Sequence, residues 1–144
     1  MSQLGIIILA MVIADQAIKL MLRRYLGSAV VALGSYGSLR LVRGRVWLRR
    51  IAGSSGNLIV WCVWLSAGLA LVTCSALVPL NVTFVGLLLG ASLSHAAESS
   101  WRGSVTDYIC LPNRMAFNLA DLALAAGAVG IVGDVVMIIY QRLS

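Results

Sequence analysis

Residues 51–97 read IAGSSGNLIVWCVWLSAGLALVTCSALVPLNVTFVGLLLGASLSHAA, a run of 47 positions between Arg50 and Glu98 without a formal charge. A single helix does not use so long a run, and Pro79 with Asn81 supplies a break near its middle. The reading is therefore two spans, about 58–77 and 82–97, each near the roughly 20 residues that cross a hydrocarbon core. The whole chain agrees: 144 residues, 60% apolar, 11% charged, with a mean hydropathy of +0.96. A soluble domain of this size has no interior large enough for that much apolar surface, so the solvent is largely lipid. Disorder, a disulfide-rich secreted module and an ordinary cytosolic enzyme are excluded. Cys62, Cys74 and Cys110, with one histidine and no CxxC spacing, make neither a disulfide framework nor a zinc site. No metal and no cofactor is expected.

Working outward, Leu4 to Leu22 forms a further apolar run that ends in Lys19, Arg23 and Arg24. A cleaved leader would carry its positive charges before the run, so a retained helix over 4–22 is expected. A fourth span is expected over 118–140. Together these give one membrane domain over 1–144, with both termini on one side and the connections 25–57 and 98–117 on the other. Seven of the 11 basic residues lie between Arg23 and Arg50. They form one extramembrane patch, without the interleaved aromatics of a nucleic-acid surface, so no nucleic-acid partner is expected. From Val42 to Arg50 the residues alternate, with Val42, Gly44, Val46 and Leu48 on one face and Arg43, Arg45, Trp47 and Arg49 on the other. Period two indicates a surface strand, extendable through Leu39 and Leu41; a solvated basic loop is the alternative. The second connection, about 98–117, mixes apolar and polar residues as a short interfacial helix or re-entrant turn would.

Ionisable residues inside a span are costly and require partners. Asp15 and Lys19 stand four apart on one face of the first helix, with Gln16 beside them. They suit either a structural ion pair or support of a site. Asp121, at the start of the fourth span, has Asn118 one turn earlier to orient it; a helix-start acid favoured by the macrodipole is the alternative. Asp107 belongs to a different element but to the same side of the membrane, which makes Asp107 and Asp121 a candidate dyad. Two close carboxyls share a proton, so one can activate water while the other hydrogen-bonds a scissile carbonyl. His95 and Glu98 follow one another by a turn at the end of the third span. Asp134 has no assigned role, with Thr73, Ser75 and Asn81 as possible partners.

Three stretches resemble the bacterial lipoprotein signal peptidase family, signal peptidase II. Asp15-Gln16-Ala17-Ile18-Lys19 is similar to its D-Q-x-x-K, Gly103-Ser104-Val105-Thr106-Asp107-Tyr108-Ile109 to its G-x-V-x-D-F-I, and Ala116-Phe117-Asn118-Leu119-Ala120-Asp121 to its A-F-N-x-A-D. Their order and the four-span length match together. The resemblance implies an all-α integral membrane protein with four transmembrane helices and a small β-cradle at the membrane surface. It implies an aspartyl endopeptidase that cuts prolipoproteins before a diacylglyceryl cysteine. Asp107 and Asp121 would be catalytic, and Asn118, Asp15, Lys19, His95 and Glu98 would support the site or the substrate. The expected partners are a prolipoprotein or lipidated peptide and membrane lipids, the expected state a monomer, and the expected location the bacterial inner membrane with the site near its outer face.

The chain also departs from the family. The block G-G-x-x-G-N-x-x-D-R falls on residues 90–99, with His95 for its asparagine, Glu98 for its aspartate and Ser99 for its arginine; its cradle N-x-G falls on Gly44-Arg45-Val46. A divergent paralogue is therefore expected, with a non-catalytic lipoprotein-binding or regulatory protein as the alternative. A small transporter or assembly subunit is a third class. It would use Asp15, Lys19 and Asp134 as a polar path but leaves Asp107 and the strand-like segment unexplained. The basic 23–57 connection would favour the cytoplasmic side; the family arrangement, with that connection outside, is followed here.

Overall fold

The computed structural model describes residues 2–44, 56–113 and 115–144. Helix α1 spans Gln3–Tyr25, α2 Gly56–Leu77, α3 Val82–Arg102 and α4 Leu119–Leu143. Short strands β1 (Val31–Ala32), β2 (Ser38–Gly44), β3 (Val105–Cys110) and β4 (Ala116–Phe117) lie between them.

Each helix boundary has a local cause. Ser2 caps α1, its hydroxyl accepting from the Gly5 N–H, and Gly27 at φ 52° follows the helix end. Pro79 lies in the break between α2 and α3, after which Asn81 caps α3 by accepting from the Thr83 N–H. Gly103, at φ 74°, ends α3 in the left-handed conformation that glycine adopts without penalty.

Helices α1, α2 and α4 are long and apolar enough to cross a membrane, with mean hydropathies of 2.0, 2.0 and 2.3. The expected span over 82–97 is a helix of sufficient length, but the stretch around it carries Ser92, Ser94, His95, Glu98, Ser99, Ser100 and Arg102 and is not comparably apolar. Burial explains the difference. Helix α3 packs on all three other helices and buries residues from Val85 to Ser99, so Ser94, Glu98 and Ser99 face protein, whereas Arg102 at the helix end is exposed. The helix core is small, built around Met11, Ala91, Ala120 and Ala123.

The strands form one antiparallel sheet in the order β1-β2-β3-β4. Leu39 and Leu41 do belong to a strand, which runs through Gly44; the remainder of the expected strand, 45–50, lies outside the described residues. Leu39 pairs with Ile109 and Val42 with Asp107, so β2 carries one extra residue. That bulge breaks strict alternation and leaves both Arg40 and Arg43 exposed. The interfacial helix or turn expected over 98–117 is corrected: the segment after α3 is strand. Val105-Thr106-Asp107-Tyr108-Ile109-Cys110 is rich in β-branched and aromatic residues, and β2 offers it a pairing edge. The two long connections are thus joined in one sheet.

Close helix contact depends on glycine at position 90. A Cβ there would stand 2.9 Å from the Ile8 carbonyl oxygen and 2.8 Å from Met11 Cβ, whereas one at Gly133 would meet nothing within 4 Å. Gly90→Ala is expected to destabilise the protein by about 1–3 kcal/mol. Gly133→Ala should be neutral or stabilising by up to about 1 kcal/mol. Thermal unfolding in detergent distinguishes the two.

Candidate active site

The site begins with a buried chain of charges. Lys19, fully buried on α1, donates to Asp15 Oδ2 at 2.7 Å and to Glu98 Oε2 of α3 at 2.8 Å. Arg23, one further turn along α1, pairs with Glu98 Oε1 and donates to Thr106 Oγ1 at 2.6 Å. Two acids and two bases alternate, so no member is left as an unpaired buried charge. Both carboxylates accept further hydrogen bonds. Asp15 accepts from Ser94 Oγ at 2.6 Å and from the Ala120 N–H at 3.3 Å, while Glu98 accepts from the Thr106 N–H at 3.2 Å and from Thr106 Oγ1 at 2.7 Å. One polar network therefore ties α1 to α3, to the first turn of α4 and to β3.

Asp107 follows Thr106 on β3, and Asp121 lies in the first turn of α4. Asn118 brings them together. Its side-chain amide donates to Asp107 Oδ1 at 2.7 Å, and its backbone N–H donates to Asp121 Oδ2 at 2.9 Å. Both carboxylates thus hang on donors of one fully buried residue. The expected placement of Asn118 inside the helix is corrected: it is the extended N-cap, φ −129° and ψ −179°, and α4 starts at Leu119. Its Oδ1 accepts from the Asp121 N–H at 3.0 Å, completing a reciprocal capping box. Asp121 is therefore also a helix-start acid, with Oδ1 left outside the capping box.

His95 Nε2 stands 3.2 Å from Asn118 Oδ1 and 3.6 Å from Asp121 Oδ1. Since Asn118 Oδ1 is the acceptor of its amide, Nε2 is the nitrogen that carries the proton. Burial pushes the Asp107 carboxyl above its usual range, and the nearby Asp121 charge adds to this, against the opposing hydrogen bond from Asn118. The fold consequently favours protonated Asp107. Its contribution to stability is present at acid pH and is lost as pH rises through the raised pKa.

Every sequence-predicted residue falls in this assembly: Asp15, Lys19, His95, Glu98, Asp107, Asn118 and Asp121. Asp134 does not. It accepts from the Asn81 N–H at 2.7 Å and pins the start of α3 to α4, far along the helix from Asp121. Sequence reasoning missed Arg23, Ser94 and Thr106. Arg23 was recoverable, because Asp15, Lys19 and Arg23 repeat every four residues along one helix face. An apolar cavity of about 340 Å³ lies between α2 and α3, lined by Val63, Trp64, Leu71, Leu89 and Ser92, with His95 also on its wall. Among the described residues, no cluster of His, Cys, Asp or Glu has the makings of a metal site.

The family model described as signal peptidase (SPase) II matches residues 7–137. A bacterial membrane enzyme solved by the in meso method at 2.3 Å is similar with a TM-score of 0.73 and 18% identity, over 93% of this chain and 87% of its own. A second bacterial membrane enzyme, solved by the same method at 1.9 Å, gives a TM-score of 0.69 and 18% identity, over 90% and 89%. At that identity the likeness concerns the fold. No curated protein matches the chain significantly.

Removing the ammonium at the centre of the charge chain would strand Asp15 and half of the Glu98 pairing in a buried setting. Lys19→Met is expected to destabilise the protein by about 3–5 kcal/mol, read from its thermal midpoint in detergent. An unchanged midpoint would mean that the buried charges are compensated in some other way.

Proposed function

The chain belongs to the signal peptidase II family, and from that premise we propose that it is an aspartyl endopeptidase of the lipoprotein-processing type, with Asp107 and Asp121 as its catalytic pair. The observation that carries this reading is the meeting of two carboxylates from separate elements on the donors of Asn118. In the reaction, ionised Asp121 takes a proton from a water whose oxygen attacks the scissile carbonyl carbon. Protonated Asp107 hydrogen-bonds and then protonates the carbonyl oxygen. The resulting tetrahedral diol collapses as Asp107 takes a proton back from one hydroxyl, the C–N bond breaks and Asp121 passes the proton it took from water to the leaving nitrogen. The raised pKa of Asp107 favours this assignment of roles.

Asn118 holds the pair in register, Lys19, Asp15 and Glu98 fix the elements that carry it, and His95 orients Asn118 and Asp121. The substrate is a prolipoprotein cut before a diacylglyceryl cysteine. Its acyl chains lie along the apolar cavity between α2 and α3, whose wall reaches the dyad at His95. The whole chain acts as one membrane domain of the bacterial inner membrane. In this reading α3 is a fourth span screened from lipid by its neighbours, and the sheet and the dyad lie near the outer face.

Incubation of the detergent-solubilised protein with a diacylglyceryl-modified prolipoprotein, with mass mapping of the products, tests the reading. Asp107→Asn and Asp121→Asn are each expected to lower turnover by at least about 10²–10⁴-fold while the thermal midpoint of Asp107→Asn stays close to that of the parent. Turnover should fall as pH rises through the raised pKa of Asp107, whose proton the reaction uses. Retained substrate binding without any cut would favour the alternative, a lipoprotein-binding regulator, for which loss of the family asparagine at His95, of its arginine at Ser99 and of the cradle residues at Gly44-Arg45-Val46 is the supporting feature.

A further inference from the structure

A second polar cavity, about 550 Å³, opens between the C-terminal ends of α1 and α3 and strand β2. Its size is within the roughly 300–1,000 Å³ of small-ligand sites. It is lined by three arginines, Arg23, Arg43 and Arg102, and by the hydroxyl residues Ser28, Ser104 and Thr106. The arginines come from three different elements, so the fold itself gathers them.

Of the three, Arg23 is already paired with Glu98, and no carboxylate side chain is left for Arg43 and Arg102. The chain has five Asp and Glu residues in all. Asp15 is held by Lys19, Glu98 by Lys19 and Arg23, Asp107 and Asp121 by Asn118, and Asp134 by Asn81. The segment 45–55, outside the described residues, contains no acid in its sequence. Arg43 and Arg102 therefore face the cavity without a carboxylate partner among the described residues, so an anionic ligand there meets no competing acid. Planar guanidinium groups match phosphate oxygens bidentately. A separate observation sets the depth of the cavity. Tyr25 and Trp101, the sequence neighbours of Arg24 and Arg102, are 78% and 92% exposed at the same helix ends, as interfacial aromatics at headgroup level are.

We infer that the cavity formed by Arg23, Arg43 and Arg102 binds the anionic phosphodiester headgroup of a phospholipid. The site is separate from the catalytic reading and does not rest on it. It nevertheless touches the same strand, because Arg23 also holds Thr106, the residue before Asp107. A headgroup in the cavity would bear directly on the end of β3 that carries Asp107, one member of the candidate dyad.

The test is native mass spectrometry of the full chain in detergent with equimolar phosphatidylglycerol and phosphatidylcholine of identical acyl composition. The expected result is about a tenfold preference for the anionic lipid. Arg43→Gln with Arg102→Gln, both exposed side chains, should abolish that preference. Arg24→Gln with Arg40→Gln, the same charge change outside the cavity, should retain most of it. Equal retention of the two lipids by the unmodified chain would overturn the inference without recourse to any variant. Equal loss in both double variants would also overturn it, since the attraction would then be diffuse. So would binding of inorganic phosphate that depends on Arg43 and Arg102 without any preference between the lipids, which would identify a soluble anion as the ligand.

Discussion

The alternation Asp15, Lys19, Glu98, Arg23 is the constraint on which the rest of the structure depends. A charge withdrawn from water into lipid or protein is tolerated only when it is paired and its remaining hydrogen-bonding capacity is used. Four charges in sequence meet that condition only if α1 and α3 adopt one register. The same carboxylates then reach beyond the helices, Asp15 to the Ala120 N–H of α4 and Glu98 to Thr106 of β3. Apolar packing alone would not achieve this, since contact among Met11, Ala91, Ala120 and Ala123 is non-directional and tolerates sliding. Hydrogen bonds with fixed partners do not.

Much of the helical fold was legible because lipid imposes a strong and simple signal. The uncharged run 51–97, broken at Pro79, gives two helices, and the apolar runs at either end give two more, with boundaries close to those observed. The polar residues of α3 were legible as costly but not as inward-facing, since which side of a helix faces protein depends on partners that lie outside its own sequence. Strand β3 was missed for a related reason. Its β-branched and aromatic content was visible, but a strand needs an edge, and the edge is supplied by β2, more than 60 residues earlier. The bulge in β2 was also invisible, because strict alternation reads equally well on either side of an inserted residue.

Among the candidate site residues, those paired within one helix or one turn were easiest to read. Asp15 with Lys19 and Asn118 with Asp121 stand at local spacings, and both pairs interact in the structure. The link from Asn118 to Asp107 crosses from a helix cap to a strand and is a tertiary fact. Where family asparagine and aspartate are replaced, His95 and Glu98 remain within the polar network rather than outside it. Glu98, one methylene longer than aspartate, reaches Lys19, Arg23 and Thr106 together, and a basic partner arrives from α1 while position 99 is serine.

The short turn between Leu77 and Val82 has a consequence for how the protein is made. Helix α2 is so uniformly apolar that its partition into a bilayer needs no help, and little of its surface is covered by protein. Helix α3, carrying serines, a histidine and Glu98, gains nothing comparable from lipid on its own. Tethered by so few residues, α3 follows α2 as the dependent arm of a hairpin, and its polar face is satisfied only when Lys19 and Asn118 arrive from α1 and the α4 cap. Among the four helices α3 is thus the one whose place in lipid rests on its neighbours: α1, α2 and α4 are apolar enough to enter unaided, and the polar network on α3 is complete only with the α4 cap in place.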